Sequence, residues 1–164
     1  MDRFVNEYRY TEDVIEEGVG SWWKWKFKKL TYGVLALMVL LAVLFLLSRN
    51  VSYLEFEIVG IIFLVMFQIK KYAGVKNEKK RMHVLHPEEP PLFHVEIVGE
   101  EIMIRSKDAC RSVSIDTVEG IAETKSLIVL FIQGLMTVTM RKDGFLEGTA
   151  EECLSYLKEK TGRK

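Results

Sequence analysis

Residues 30–47 read LTYGVLALMVLLAVLFLL, eighteen positions without an Asp, Glu, Lys, Arg or His. A helix of that length spans roughly 27 Å at about 1.5 Å per residue, close to the ~30 Å hydrocarbon thickness of a bilayer. Leucine and valine occupy every side of such a helix, and a chain of 164 residues has too little other protein to cover it. The stretch therefore predicts a membrane span over about residues 30–48. A cleaved signal peptide is disfavoured because the leader is acidic and no small-residue cleavage pattern follows.

A second apolar run, IVGIIFLVMFQI at residues 58–69, is shorter. By itself it would also suit a buried core helix, but extension back to residue 51 gives it the length of a span and adds Glu55 and Glu57. A carboxylate at the bilayer centre costs a few kcal/mol, so we place both acids at the outer end, where they could contact a partner helix. The connection SRNVSYLE is short. We therefore predict a second span over about residues 52–69, antiparallel to the first.

The stretch SWWKWKFKK at residues 21–29 precedes the first span and holds all three tryptophans of the chain. Aromatic rings among lysines suit either nucleic acid, by stacking and phosphate neutralisation, or a lipid headgroup layer. The adjoining apolar run favours lipid, and no compact basic domain accompanies it, so we expect no nucleic-acid partner. A second basic cluster lies within residues 70–81. We predict a membrane-interface anchor on the anionic cytoplasmic leaflet made by Trp22, Trp23, Lys24, Trp25, Lys26, Lys28, Lys29, Lys70, Lys71, Lys79, Lys80 and Arg81.

Charge is distributed unevenly along the chain. Arg49 is the only Lys or Arg between residues 30 and 69, whereas several basic residues precede the first apolar run and several follow the second. Since an excess of Lys and Arg stays in the cytoplasm, the pattern predicts a two-span protein of the cell membrane with both termini cytoplasmic. Residues 1–21 hold six acids against two arginines, a net of −4, and residues 70–86 hold six basic residues against one acid, a net of +5. Such blocks predict surfaces with preferred neighbours.

The three prolines of the chain lie within residues 87–91, where proline must end any preceding helix. We therefore predict four segments: a cytoplasmic N-terminal segment with the interfacial anchor at 1–29, a transmembrane hairpin at 30–69, a basic, proline-terminated linker at 70–91, and a cytoplasmic domain at 92–164. The two cysteines, Cys110 and Cys153, lack metal-ligand spacing and are predicted to be reduced, partly buried thiols.

From residue 92 the apolar residues alternate, which predicts short strands. The strand candidates are LFHVEIV, IMIRS, RSVSI, VEGIAET, SLIVLFI and LMTVTM, with turn signals at Gly99-Glu100-Glu101 and Lys107-Asp108 among others. Residues 127–132 are apolar on both faces, which indicates a central strand or one covered by the last helix. Thr149 and Glu152 have the spacing of a capping box, and the helix they start would bury Ala150, Cys153, Leu154 and Leu157. The predicted fold is a membrane α-hairpin plus a small α+β domain, an antiparallel sheet closed by a C-terminal helix.

Two segments of the C-terminal part, IDTVEGIAETKSLIVLFIQGLMTVTMRKDGF at 115–145 and ECLSYLKEK at 152–160, resemble the YcxB-like family of bacterial membrane proteins. The leader YRYTEDVIEE at 8–17 is similar to the N-terminal segment of that family. The resemblance implies a two-helix membrane hairpin followed by a pleckstrin-homology-like sheet or half-barrel with a C-terminal helix. It implies no catalytic residue, since none is established for the family.

Sequence motifs point away from enzymatic chemistry. The chain contains no GxSxG elbow, HExxH helix or P-loop, so we expect no enzyme, cofactor, metal or small-molecule substrate. The function expected is a membrane-anchored scaffold or sensor whose cytosolic domain docks a protein partner, which could be a second copy of the chain. The alternative is an accessory subunit of a larger membrane complex, such as a transporter or envelope machinery, assembled through the hairpin.

Overall fold

A computed structural model describes residues 3–107, 109–134 and 137–162 of the chain. A strand and two long helices come first: β1 (Arg3–Arg9), α1 (Glu12–Ser48) and α2 (Ser52–Leu85). The following domain contains β2 (Leu92–Val98), β3 (Glu101–Ser106), β4 (Ala109–Ser114), a 3₁₀ turn (Ile115–Thr117), β5 (Val118–Glu123), β6 (Leu127–Ile132), β7 (Val138–Arg141), β8 (Phe145–Glu147) and α3 (Ala150–Thr161). Asp108, which belongs to a predicted turn, and Leu135 and Met136, which begin a predicted strand, lie outside the described residues.

The strands form two open antiparallel sheets. One has five strands in the order β4-β3-β2-β1-β8, and the other has three in the order β5-β6-β7. Side chains from both sheets and from α3 share one core, in which every residue of β6 is buried. The predicted antiparallel sheet with a C-terminal helix is therefore confirmed, and β6 is the centre of its sheet. The finer description, a closed half-barrel of the pleckstrin-homology type, stays a prediction.

The first strand belongs to the larger sheet. β1 pairs with β2 along its whole length, from Arg3 opposite Val98 to Arg9 opposite Leu92, and its other edge pairs with β8. Just beyond the pair, the Tyr10 amide donates to the Pro91 carbonyl over 2.9 Å. The helical hairpin is thus an insertion between two adjacent strands of one sheet. This corrects the predicted division into segments, because residues 3–9 lie inside the domain that sequence analysis began at residue 92.

The two helices form the predicted antiparallel hairpin, and both are long and apolar enough to cross a membrane. Their outer ends at Ser48 and Ser52 coincide with the predicted ends of the spans. At the opposite end the helices continue, α1 back to Glu12 and α2 on to Leu85, so the apolar stretches predicted as spans form the distal half of a longer hairpin. Arg49, in the left-handed region at φ 55°, ends α1 and starts the short connection.

The helices meet along a seam with coiled-coil spacing. Half-buried residues recur every three or four positions, at Phe27, Thr31, Val34, Met38, Leu41 and Phe45 in α1 and at Tyr53, Glu57, Gly60, Leu64 and Phe67 in α2. Gly60 allows the closest approach, because a Cβ there would lie 3.1 Å from Met38 Cγ and Sδ. In neither helix is any residue of the most apolar 18-residue window fully buried. Leucine, isoleucine and valine side chains therefore face outward on all remaining sides.

Two local predictions are confirmed at helix ends. α2 stops at Leu85, directly before the proline segment. α3 begins with the capping box: Thr149 Oγ1 accepts from the Glu152 amide over 3.2 Å, and the Thr149 amide donates to Glu152 Oε2 over 3.0 Å. The four side chains predicted to face the core from α3 are buried.

Candidate functional site at the hairpin base

The proximal parts of the two long helices are residues 12–29 of α1, which pack against the sheet domain, and residues 70–85 of α2, which pack mainly against α1. We call this region the hairpin base. It contains all but two of the sequence-predicted site residues, since Glu55 and Glu57 lie at the distal end of the hairpin.

The three tryptophans of the hairpin base have different neighbours. Trp25 stacks on Phe131 of β6, with ring centroids 4.5 Å apart and planes 16° apart. Trp22 packs against the domain core. Trp23 points the other way and meets Phe67 of α2 edge-on at 5.1 Å. The predicted lipid anchor is therefore also the joint that holds α1 to the sheet on one side and to α2 on the other.

Gly120 of β5 makes room for this joint. A Cβ at that position would collide with Trp25 Nε1, lie 2.9 Å from Trp25 Cε2 and lie 3.2 Å from Phe131 Cδ2. Any larger side chain must push the indole off Phe131. A glycine within a strand often marks such a close approach, so Gly120 is the sequence signal for a close contact at this point of β5.

An open groove of about 740 Å³ lies beside the stacked pair, between α1 and the small sheet. Its lining is Trp22, Trp25, Lys26, Lys29, Glu119, Phe131, Ile132 and Gly134. Lys26 Nζ lies 4.6 Å from the centroid of the Trp22 ring, a cation–π contact that holds the ammonium at the edge of the groove. The groove thus combines an exposed indole with two exposed ammonium groups.

The Glu17 carboxylate of α1 accepts hydrogen bonds from the loop between β5 and β6. The Ser126 amide donates to Glu17 Oε1 over 3.0 Å, and the Ser126 hydroxyl donates to Oε2. Burial acts to raise the pKa of Glu17, but the hydrogen bonds from Ser126 and Thr124 outweigh it and leave the pKa lowered. Together with Trp25, this carboxylate fixes the sheet domain to the helix.

Replacement of Glu17 by Ala should loosen the joint in a pH-dependent way. A carboxyl whose pKa is lowered by folding stabilises the protein above its unfolded pKa of about 4.3 and loses that effect as the pH falls through the folded value. We expect Glu17→Ala to lower the free energy of unfolding by about 1–2 kcal/mol at pH 7 and by less at pH 3. Thermal unfolding of the detergent-solubilised protein at both pH values measures this, with the exposed Glu159→Ala as control. An unchanged pH dependence in Glu17→Ala would contradict the assignment.

The opposite charge blocks seen in the sequence meet at the hairpin base. Lys79 Nζ lies 2.8 Å from Glu12 Oε2 and 2.5 Å from Glu16 Oε1, and His83 Nε2 lies 2.9 Å from Glu12 Oε1. The hydrogen bonds from Lys79 and His83 lower the pKa of Glu12. Lys79, one of the predicted lipid anchors, therefore forms ion pairs with α1. Lys70, Lys80 and Arg81 are exposed.

The two acids at the distal end are not equivalent. Glu55 is exposed on the outer side of α2. Glu57 lies in the seam one turn from Gly60, and its Oε1 is buried without a hydrogen-bond partner among the described residues. Of the two acids predicted to contact a partner helix, only Glu55 is presented away from the hairpin.

Other chemistry-bearing groups are dispersed. Cys110 is exposed on β4, contrary to the predicted partial burial, whereas Cys153 is buried and its burial raises the pKa of the thiol to about 12. A second cavity of about 320 Å³ lies between β1, β3, β4 and β7 and is lined by Tyr8, Tyr10 and Phe93 among others. Across the described ranges, no three His, Cys, Asp or Glu side chains converge as metal ligands would.

Comparison with known proteins gives no relative from which a role could be taken: no protein family, curated protein or solved structure matches this chain.

Proposed function

We propose that the protein is a membrane-anchored, non-enzymatic scaffold or sensor whose sheet domain docks a protein partner at the cytoplasmic face. The observation that carries the proposal is the hairpin, whose distal half exposes apolar side chains around its whole circumference. A core helix of a soluble protein would be covered, and these helices are not. A signal peptide does not explain α1 either, because Val14 near its start is buried in the domain core.

The proposed orientation follows from the basic residues. The hairpin base carries the Lys-rich stretch before the first span and the cluster after the second, while the distal connection has Arg49. Positive charge is retained in the cytoplasm, so the sheet domain and both termini belong on that side. Lys70, Lys80 and Arg81 are exposed on α2, and these three residues would face anionic lipid.

The first test is extraction of the native membrane fraction at alkaline pH. The full-length chain should remain in the pellet after ultracentrifugation, as an integral membrane protein does. Recovery in the supernatant would end the proposal.

The partner-docking surface that we propose is the outer edge of β4. This strand ends the five-stranded sheet, four of its six residues are exposed, and no strand pairs with its outer side in the described part of the chain. An edge strand presents unpaired amide and carbonyl groups, which suit strand addition by a partner. Cytosolic residues 92–164 hold ten basic and twelve acidic side chains, so a strongly charged partner is not required.

Cys110 places a chemical probe at this edge. A thiol-specific photo-crosslinker should react at exposed Cys110 and spare buried Cys153 in the full-length protein in native membranes. We expect a single crosslinked species, either with a second copy of the chain or with one other protein. The matched control carries the probe on α3, as Cys110→Ser with Lys158→Cys. Equal yields at both positions, or none at Cys110, would reject the β4 edge.

The second candidate function is an accessory subunit of a larger membrane complex, and one observation favours it. Glu55 is an exposed acid at the membrane-embedded end of α2, where a partner helix could satisfy it. Glu55→Gln should then reduce recovery of the complex on a native gel while Glu57→Gln, which alters only the internal seam, should not. Unchanged recovery of the complex with Glu55→Gln would reject the accessory-subunit function and leave the scaffold or sensor as the only proposal.

Membership of the YcxB-like family and a pleckstrin-homology-like origin of the domain are part of the same proposal. The similarity of residues 115–145 and the succession of hairpin, antiparallel sheet and C-terminal helix support it.

A further inference from the structure

We propose that the groove between α1 and the small sheet binds one anionic glycerophospholipid from the cytoplasmic leaflet, with its phosphate between Lys26 and Lys29. The inference rests on the proposed membrane location and goes beyond it, because it assigns a single lipid to a built site rather than general attraction to a charged surface.

The first support is depth. Lys29 directly precedes the apolar run at Leu30, and Lys26 lies about 4.5 Å further from that run along the helix axis at about 1.5 Å per residue. The headgroup layer on each side of a bilayer is about 5–8 Å thick. Both ammonium groups therefore lie at the level of lipid phosphates when residues 30–48 cross the hydrocarbon. The groove opens at the same level, since both lysines line it.

The second support is the shape and polarity of the lining. Trp25 stacks over the buried Phe131 and presents its own exposed indole face to the groove. Trp25 keeps 37% of its surface exposed, although its neighbours Phe131 and Ile132 are buried. An exposed indole beside two lysines suits the glycerol and first acyl methylenes of a lipid, with the phosphate at the rim.

The third support is charge. Among the described lining residues, Lys26 and Lys29 oppose the single carboxylate of Glu119, a net of +1. That balance favours a headgroup with a net negative charge over a zwitterionic one. Neither lysine forms an ion pair in the described structure, whereas Lys79 at the far side of the hairpin base does.

Two lysines of the same stretch provide a matched control. Lys24 and Lys28 are exposed, precede the same span and carry the same charge, but they do not line the groove. A diffuse electrostatic surface would use all four alike. A built site would depend on Lys26 and Lys29 only.

Native mass spectrometry of the full-length protein in mild detergent tests the proposal, with dioleoyl phosphatidylglycerol and dioleoyl phosphatidylcholine as probes. We expect one retained phosphatidylglycerol, bound roughly tenfold more weakly by Lys26→Gln/Lys29→Gln and unchanged in Lys24→Gln/Lys28→Gln. Glu119→Gln should bind phosphatidylglycerol about fivefold more tightly, because the lining loses its carboxylate. Circular dichroism of each variant confirms folding, since all of these side chains are exposed.

Three results would overturn the groove assignment: equal retention of both lipids, equal losses in the two double-lysine variants, or no retained lipid in the parent protein. Each is distinguishable from failure of the proposed function, which alkaline extraction reports. A protein that stays in the membrane pellet and shows equal losses in both double variants would keep its anchor and lose this site.

Discussion

A fragment of residues 92–164, the range that sequence predicts as a domain, should be unfolded in isolation. β1 lies between β2 and β8 in the five-stranded sheet, so the fragment lacks an interior strand. Phe4, Val5 and Tyr8 of β1 are at most 7% exposed. Loss of a large buried side chain costs about 2–5 kcal/mol, so three such losses cost about 6–15 kcal/mol, as much as the net stability of about 5–15 kcal/mol of most domains. Far-ultraviolet circular dichroism and thermal melts of the fragment should show no cooperative transition.

A second, soluble variant isolates the cause. In this joined variant a short Gly-Ser loop connects residues 1–29 to residues 68–164. The variant keeps β1 and the hairpin base and omits the apolar stretches predicted as spans. The joint is short, because the Phe27 and Phe67 ring centroids lie 4.9 Å apart. We expect this joined variant to be soluble and to melt cooperatively. A cooperative melt of the 92–164 fragment with native-like circular dichroism would contradict the topology, whatever the joined variant does.

Parts of this fold follow from local sequence. The apolar helices, the end of α2 before the prolines and the start of α3 depend on composition or on residues three positions apart, and the structure has them where sequence places them. The uniformly apolar sequence of β6 also predicts a central strand, and every residue of β6 is buried. In each case the physical cause lies within a few residues of its effect.

The role of β1 could not be inferred in that way. Its sequence RFVNEYR contains Arg, Asn and Glu, and its burial does not alternate, because side chains on both faces meet protein. Its main partner, β2, lies more than 80 residues further along the chain. The contacts of Trp25 with Phe131 and of Lys79 with Glu12 could not be inferred for the same reason. The two residues of each pair are distant in sequence, and the sequence around each one shows no sign of its partner.

Asn6 joins the two sheets through its side chain. It is 0% exposed on β1, and its side-chain amide exchanges two hydrogen bonds with the backbone of β7, as a residue of a paired strand would. Asn6 Nδ2 donates to the Arg141 carbonyl over 2.7 Å, and the Arg141 amide donates to Asn6 Oδ1 over 3.1 Å. Two residues along, Tyr8 Oη and Thr139 Oγ1 share a buried hydrogen bond of 2.6 Å. The larger sheet is thus fastened to the smaller one by side chains rather than by backbone pairing.

Asn6→Asp should therefore be among the most destabilising single-atom exchanges in the protein. The new carboxylate would place an acceptor against the Arg141 carbonyl, lose the donated hydrogen bond and bury a charge, for a total cost of about 3–5 kcal/mol at pH 7. In the joined variant this corresponds to a loss of roughly 10 °C or more in melting temperature. The exposed Asn77→Asp on α2 makes the same chemical change outside the core and should shift the melting temperature little.

The pH dependence distinguishes this mechanism from simple loss of packing. Burial beside a carbonyl would raise the pKa of the introduced carboxyl above its unfolded value, so the deficit should shrink as the pH falls through that raised value. Once protonated, the side chain can again donate to the Arg141 carbonyl. Asn6→Leu, which has no titrating group, should remain destabilised at every pH, because the Arg141 amide loses its partner and the Arg141 carbonyl keeps only the Gly144 amide. If Asn6→Asp and Asn6→Leu show the same deficit from pH 7 to pH 4, the Asn6 amide only fills space, and its hydrogen bonds do not hold the two sheets together.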